Sequence, residues 1–124
     1  MQNLSQLLQT GDWKGEKHVP VIHIPQNVKA GEPIEIKVSI GDEIKHPNEL
    51  EHHIKWIKLF YFKKDGKFPV EIASFDFVSH GEGGVITEPV ASVNVKLNDS
   101  GFIYALAYCN IHGLWENKEE IVFE

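Results

Sequence analysis

The sequence predicts an all-β fold, an immunoglobulin-like seven-stranded antiparallel β-sandwich with a short N-terminal arm or helix. Three observations carry this. Short runs in which apolar and polar residues alternate recur at regular spacing along the chain. Turn segments separate them, including Asp65-Gly66 and the stretch Asn98-Asp99-Ser100-Gly101. No long segment carries the 3.6-residue period of an amphipathic helix. About seven short strands with turn signals between them is the profile of a sandwich.

The first ten residues, MQNLSQLLQT, read as the arm or short helix, with Leu4, Leu7 and Leu8 on one face. GDWKGEKHVP follows, and its two glycines and its proline mark a loop. VIHIP comes next, and then PIEIKVSI, in which Ile34, Ile36, Val38 and Ile40 alternate with Glu35, Lys37 and Ser39. That is the pattern of a half-buried strand. His53–Phe62 and Phe68–Val78 are aromatic and β-branched, joined by a KKDGK hairpin turn. Gly83–Leu97 and Gly101–Cys109 form the next pair, and EEIVFE at Glu119–Glu124 supplies a closing strand. With 124 residues and no repeats, low-complexity tracts or linker, residues 1–124 are expected to form a single domain.

Composition narrows the partners. A net charge of −6 argues against nucleic acid, which needs a concentrated basic face. An anionic substrate would need a local positive funnel on such a chain. No apolar run approaches the ~20 residues of a membrane span, so no membrane association is expected. The N-terminus lacks the basic and apolar regions of a secretory signal. The single cysteine precludes an internal disulfide, and a reducing cytoplasm is the expected location.

Seven histidines is a high count for this length. His18, His46, His52 and His112 lie in turn-like segments, and His112 stands three residues after Cys109. Any one of them alone reads best as a solvated loop residue. Four together with Cys-x-x-His favour a metal site. His23, His53 and His80 are read as structural. A Cys109–histidine nucleophile pair fits poorly, because the histidines are too many for a dyad and no oxyanion-hole pattern is evident.

One thiolate and several imidazoles suit zinc, copper or iron. Structural zinc sites are closed and tetrahedral, usually with two or more cysteines. Blue copper takes two histidines, a cysteine and typically an axial methionine. Met1 is the only methionine, and none occurs in the 15 residues after Cys109, although a Gln or backbone oxygen could stand in. Five protein ligands suit a six-coordinate iron with one position open.

The motifs GEKHVP, HPN-x-x-EHHI and CNIHGLWE, in this order on a small β-rich chain, resemble superoxide reductase in its one-iron neelaredoxin form. That form is related to the iron-binding domain of desulfoferrodoxin. The resemblance runs from about Gly11 to Trp115. It implies a mononuclear non-haem iron, Fe2+/Fe3+, held by His18, His46, His52 and His112 around an equatorial plane, with Cys109 as axial thiolate. One histidine of the family binds by its other ring nitrogen, a role that falls on His112. Glu16 matches the carboxylate that fills the sixth position in the oxidised site, and Lys17 the lysine near the open position.

The implied activity is one-electron reduction of superoxide to hydrogen peroxide, a detoxification under oxidative stress, with electrons from a rubredoxin-like donor. The resemblance also implies a homo-oligomer, dimer or tetramer, for which the N-terminal arm could supply contacts. The four-cysteine module of the two-iron relatives has no counterpart here. The backbone N–H groups of Ile111 and His112 are expected to face the Cys109 sulfur. Lys17, beside His18, would form a positive mouth for the anion; Lys45, beside His46, could add to it but on its own reads as an ordinary solvated lysine. The rival readings are a cupredoxin-like copper electron carrier and a structural metal-binding sandwich in which Cys109 and His112 hold zinc.

Overall fold

The computed structural model describes residues 1–124. Its strands are β1 (Val21–His23), β2 (Pro33–Ser39), β3 (Ile54–Lys63), β4 (Val70–Asp76), β5 (Val90–Lys96), β6 (Gly101–Cys109) and β7 (Gly113–Ile121). They form two antiparallel sheets, ordered β1-β2-β5 and β4-β3-β6-β7. The expected seven-stranded sandwich is observed. No helix is long and apolar enough to cross a membrane.

Alternation decides which side chains fill the space between the sheets. Along β6, Ile103, Ala105, Ala107 and Cys109 point inward and are buried, while Phe102, Tyr104, Leu106 and Tyr108 stay half-exposed. From the facing sheet come Ile34, Ile36 and Val38, and from β3 Ile57 and Leu59. Burying each of the larger aliphatic side chains contributes roughly 1.5–3 kcal/mol. Truncating one, as in Ile57→Ala, would cost about 2–5 kcal/mol.

The closing strand departs from expectation. It runs over Gly113–Ile121, beginning at the glycine directly after His112, and Val122–Glu124 lie beyond it. Its polar run Glu116–Glu120 hides a strand whose every residue pairs with β6, from Cys109↔Gly113 to Gly101↔Ile121. Pairing along a buried neighbour outweighs weak local propensity. Likewise β5 begins only at Val90. Before it come a short 3-10 turn at Glu82–Gly84, with Gly83 and Gly84 at φ 60° and 78°, and then Pro89.

The N-terminal helix is a single turn, Leu4–Leu7, with no buried residue. What holds the arm is Gln9, which makes a parallel bridge to Trp115 at the edge of β7. Its N–H donates to the Leu114 carbonyl (3.1 Å) and its carbonyl accepts from Glu116 N–H (2.8 Å).

Strand register gathers four chain segments at one end of the sandwich. Ile54, at the start of β3, pairs with Cys109 at the end of β6, and Cys109 pairs with Gly113 at the start of β7. Val21, opening β1, pairs with Ser39, closing β2. The segments carrying His18, His46, His52 and the Cys109–His112 turn all leave from that end.

Candidate metal centre

Each ligand candidate is presented by a local device. Ahead of β1, the Asp12 side chain accepts from Lys14 N–H (3.0 Å) and its carbonyl from Gly15 N–H (2.9 Å), which curls the loop. Glu16 Oε1 then accepts from both the backbone N–H of His18 (3.0 Å) and its Nδ1–H (2.7 Å). Those bonds, the side-chain one foremost, hold the Glu16 carboxyl below its ordinary pKa. In the β2–β3 connection, Gly41 sits at φ +94°, and a Cβ there would stand 2.9 Å from the His46 nitrogen. Only glycine fits. His46 Nδ1–H donates to the Pro47 carbonyl (2.6 Å).

A carboxylate and a carbonyl can only accept. Nδ1 therefore carries the proton in His18 and His46, and each ring turns the lone pair of Nε2 inward. His52 ends a tight turn closed by reciprocal bonds with Glu49, 3.0 and 3.2 Å. Cys109 is fully buried at the end of β6. The three residues after it form the β6–β7 turn, completed by Gly113 at φ +84°.

The donor atoms converge. One each from His18, His46, His52 and Cys109 lie within 4.8 Å of one another. His112 joins them through Nδ1, 3.1 Å from His18 Nε2, 3.2 Å from His52 Nε2 and 3.8 Å from Cys109 Sγ. The imidazoles form a ring in the order His18, His46, His52, His112. Centroids of neighbours are 4.8, 4.6, 5.0 and 4.8 Å apart, and His18 faces His52 across the ring at 6.2 Å. Cys109 Sγ, 3.4 Å from His46 Nε2, lies on the core side. His112 is exposed and His52 half-buried.

This donor set fits a metal ion. His112 Nδ1 carries at most one proton yet faces two ring nitrogens and a sulfur, so hydrogen bonds cannot satisfy the cluster. A cation at its centre can. Burial pushes His46 down to about 4 and lowers His52, with neighbouring histidines and the Lys17 ammonium pushing the same way. Both shifts favour the neutral imidazole in His46 and His52, the form in which a histidine binds a metal.

A scan against family profiles matches desulfoferrodoxin over residues 10–118. The chain belongs to the desulfoferrodoxin family. A superoxide reductase of Pyrococcus abyssi is 48% identical, covering 95% of this chain and 98% of its own. The neelaredoxin of Megalodesulfovibrio gigas is 43% identical over 95% and 96%. The structure of superoxide reductase (neelaredoxin) from Archaeoglobus fulgidus in the reduced form superposes with a TM-score of 0.87 at 44% identity, over 94% of this chain and 99% of that one.

Within this desulfoferrodoxin-family sandwich the sequence candidates divide as follows. His18, His46, His52, His112 and Cys109 come together. Glu16 stands behind His18, at the ring nitrogen turned away from the cluster. Lys17 is half-buried and Lys45 exposed, the latter lining a surface hollow beside His46. Of the two amides expected at the sulfur, that of His112 reaches it, at 3.4 Å. His53 and His80 stack on one another, centroids 3.4 Å apart, and His23 pairs with Asp42 at 2.9 Å, all outside the cluster.

Three supporting residues escaped sequence reasoning. Trp115 stacks on His18, and its Nε1–H donates to the His112 carbonyl (3.2 Å). Gln9 Nε2 donates to the same carbonyl (2.7 Å). Asn110 bridges two of the loops. Only its place between Cys109 and His112 hinted at a role.

Proposed function

We propose that this protein is a cytoplasmic superoxide reductase, its single domain (residues 1–124) reducing superoxide to hydrogen peroxide at one mononuclear iron. His18, His46 and His52 would hold the iron through Nε2, His112 through Nδ1 and Cys109 through its thiolate sulfur. Iron supplies one electron to superoxide when bound, and two protons complete hydrogen peroxide. The observation that carries this reading is the ring of four imidazoles over a buried sulfur. Cys109 lies on the core side, whereas His112 is exposed and His52 half-buried, so a small anion would reach the centre from the solvent side of the ring.

The protein's own groups do the rest. Glu16 and the Pro47 carbonyl fix the tautomers and orientations of His18 and His46, which keeps the ring preorganised. The N–H of His112 moderates charge donation from the sulfur. Lys17 places a positive charge beside the ring of an otherwise acidic protein and draws in the substrate anion, with Lys45 as a weaker contributor. Glu16 is ionised and one residue from Lys17. In the oxidised protein it would serve as a further ligand to the iron, in place of its bond to His18 Nδ1. A rubredoxin-like carrier would deliver electrons through the exposed edge of His112. Chains would associate as dimers or tetramers. The half-exposed Phe60, Phe62 and Tyr104 on the outer sheet face suit such a contact better than the four-residue arm helix.

Metal analysis with a visible spectrum tests this reading. One iron per chain is expected, with a thiolate-to-iron band that bleaches on reduction and returns after pulse-radiolytic superoxide, with peroxide formed. Copper with an intense blue band, or colourless zinc retained after iron-replete expression, would overturn it in favour of a copper carrier or a structural site.

A further inference from the structure

We infer that Asn110 is a positioning residue that locks the His52 turn to the Cys109–His112 turn, so that His52 holds its place in the ligand ring. The inference rests on the metal-site reading above, though not on which metal is bound.

Asn110 meets the preceding loop three times. Its backbone N–H donates to the His53 carbonyl (3.1 Å), which extends the β3–β6 ladder one step past Cys109. Its side-chain Oδ1 accepts from His53 N–H (2.9 Å), and its Nδ2 donates to the Glu51 carbonyl (3.0 Å). The two side-chain bonds land on the residues either side of His52. An asparagine amide carries its acceptor oxygen and its donor nitrogen on separate atoms of one planar tip, so it can serve two backbone groups two residues apart at once.

The need for such a clamp follows from how the other rings are held. His18 and His46 are each fixed at Nδ1, by Glu16 and by the Pro47 carbonyl. His112 is three residues from Cys109 in a tight turn and has its carbonyl gripped by Gln9 and Trp115. His52 has no protein partner at Nδ1 and is half-buried. Its orientation is therefore set through its backbone, and Asn110 fixes that backbone to the strand that ends in the thiolate. His53, whose Nδ1 donates to the Glu49 carbonyl (3.0 Å), closes the turn from within.

The test uses Co2+ as a spectroscopic probe in the full-length protein. Wild-type protein should bind Co2+ with a sulfur-to-cobalt band, and failure to do so would overturn the metal-site reading itself. Asn110→Ala should weaken Co2+ retention against a chelator, on the order of 10–100-fold, the range for groups that orient ligands, and should shift the band. Asn110→Asp keeps the acceptor for His53 and loses the donor to Glu51, so an intermediate effect is expected. It also serves if the alanine variant fails to fold. In a His52→Ala background the Asn110 substitutions should add little, because their route to the metal has been removed. Equal losses with and without His52, or unchanged retention and band in both variants, would overturn the assignment.

Discussion

The indole of Trp115 lies flat on the imidazole of His18, ring centroids 4.7 Å apart and planes within 12° of parallel. Trp115 is nearly buried, and its Nε1–H also reaches the His112 carbonyl, so one side chain braces two neighbouring members of the ring. Trp115→Leu removes stack and hydrogen bond together, and a stability loss of about 2–4 kcal/mol is expected, along with faster metal release. Trp115→Phe keeps a stacking surface and should cost about 1 kcal/mol. Urea unfolding and chelator competition on both variants check this; equal losses would deny the stack its part.

The chemistry was far more legible than its support. Alternation in PIEIKVSI and GFIYALAYC reports which face is buried, and Ile36, Val38, Ile103 and Ala105 are indeed buried. The donor types and their loop positions marked His18, His46, His52, Cys109 and His112, because few other patterns place so many metal-binding side chains at turns. Trp115 and Asn110 act across 97 and 57 positions of sequence, and no local period encodes such contacts. β7 was misplaced for a related reason. Its strand character comes from its partner β6, while its own Glu-Asn-Lys-Glu-Glu run resembles a solvated loop.

Lys17 is expected to govern encounter with the anion. Its charge already lowers the pKa values of His46 and His52, which places its field at the ring. Lys17→Ala should slow the reaction with superoxide and flatten its dependence on salt while iron content stays the same. Pulse radiolysis at several ionic strengths reads both. A rate constant equal to wild type would remove the lysine from the steering role.

Glu16 binds His18 twice and is held ionised by those contacts. Glu16→Ala removes the group that orients His18 and, with it, the carboxylate proposed to act as a further ligand in the oxidised protein. The ferric spectrum and its affinity for added anions should change, while the reduced protein still reacts with superoxide at a similar rate. An unaltered ferric spectrum and unaltered anion affinity would show that the carboxylate serves only the loop.

Acid should destabilise the metal-free protein. An ordinary imidazole titrates near 6.5, whereas folded His46 is pushed to about 4 by burial. Between those values the unfolded chain takes up a proton that the folded chain refuses. Stability is thus fully present above about pH 6.5 and falls as pH drops toward 4. For His46 that amounts to about 3 kcal/mol, and His52 and His80, lowered chiefly by burial, act in the same direction. The urea midpoint of the metal-free protein should fall steadily on acidification, and a flat profile would mean that His46 is charged in the fold.

Cys109 tests whether the sulfur is needed for the fold or only for the centre. It is fully buried, pairs with Ile54 and Gly113 in the sheet ladder, and accepts the His112 N–H. Cys109→Ser keeps the size and the acceptor for the His112 N–H, but it buries a more polar hydroxyl at the margin of the apolar core, a cost of about 1–3 kcal/mol. A domain of this size tolerates that loss, so circular dichroism should report an intact sandwich. The thiolate band should vanish, and with it most of the superoxide-reducing activity, because an alcohol is not deprotonated as readily as a thiol and donates less charge to the metal. A serine variant that is folded, iron-loaded and fully active would mean that the centre needs only an occupant at residue 109 and not a sulfur.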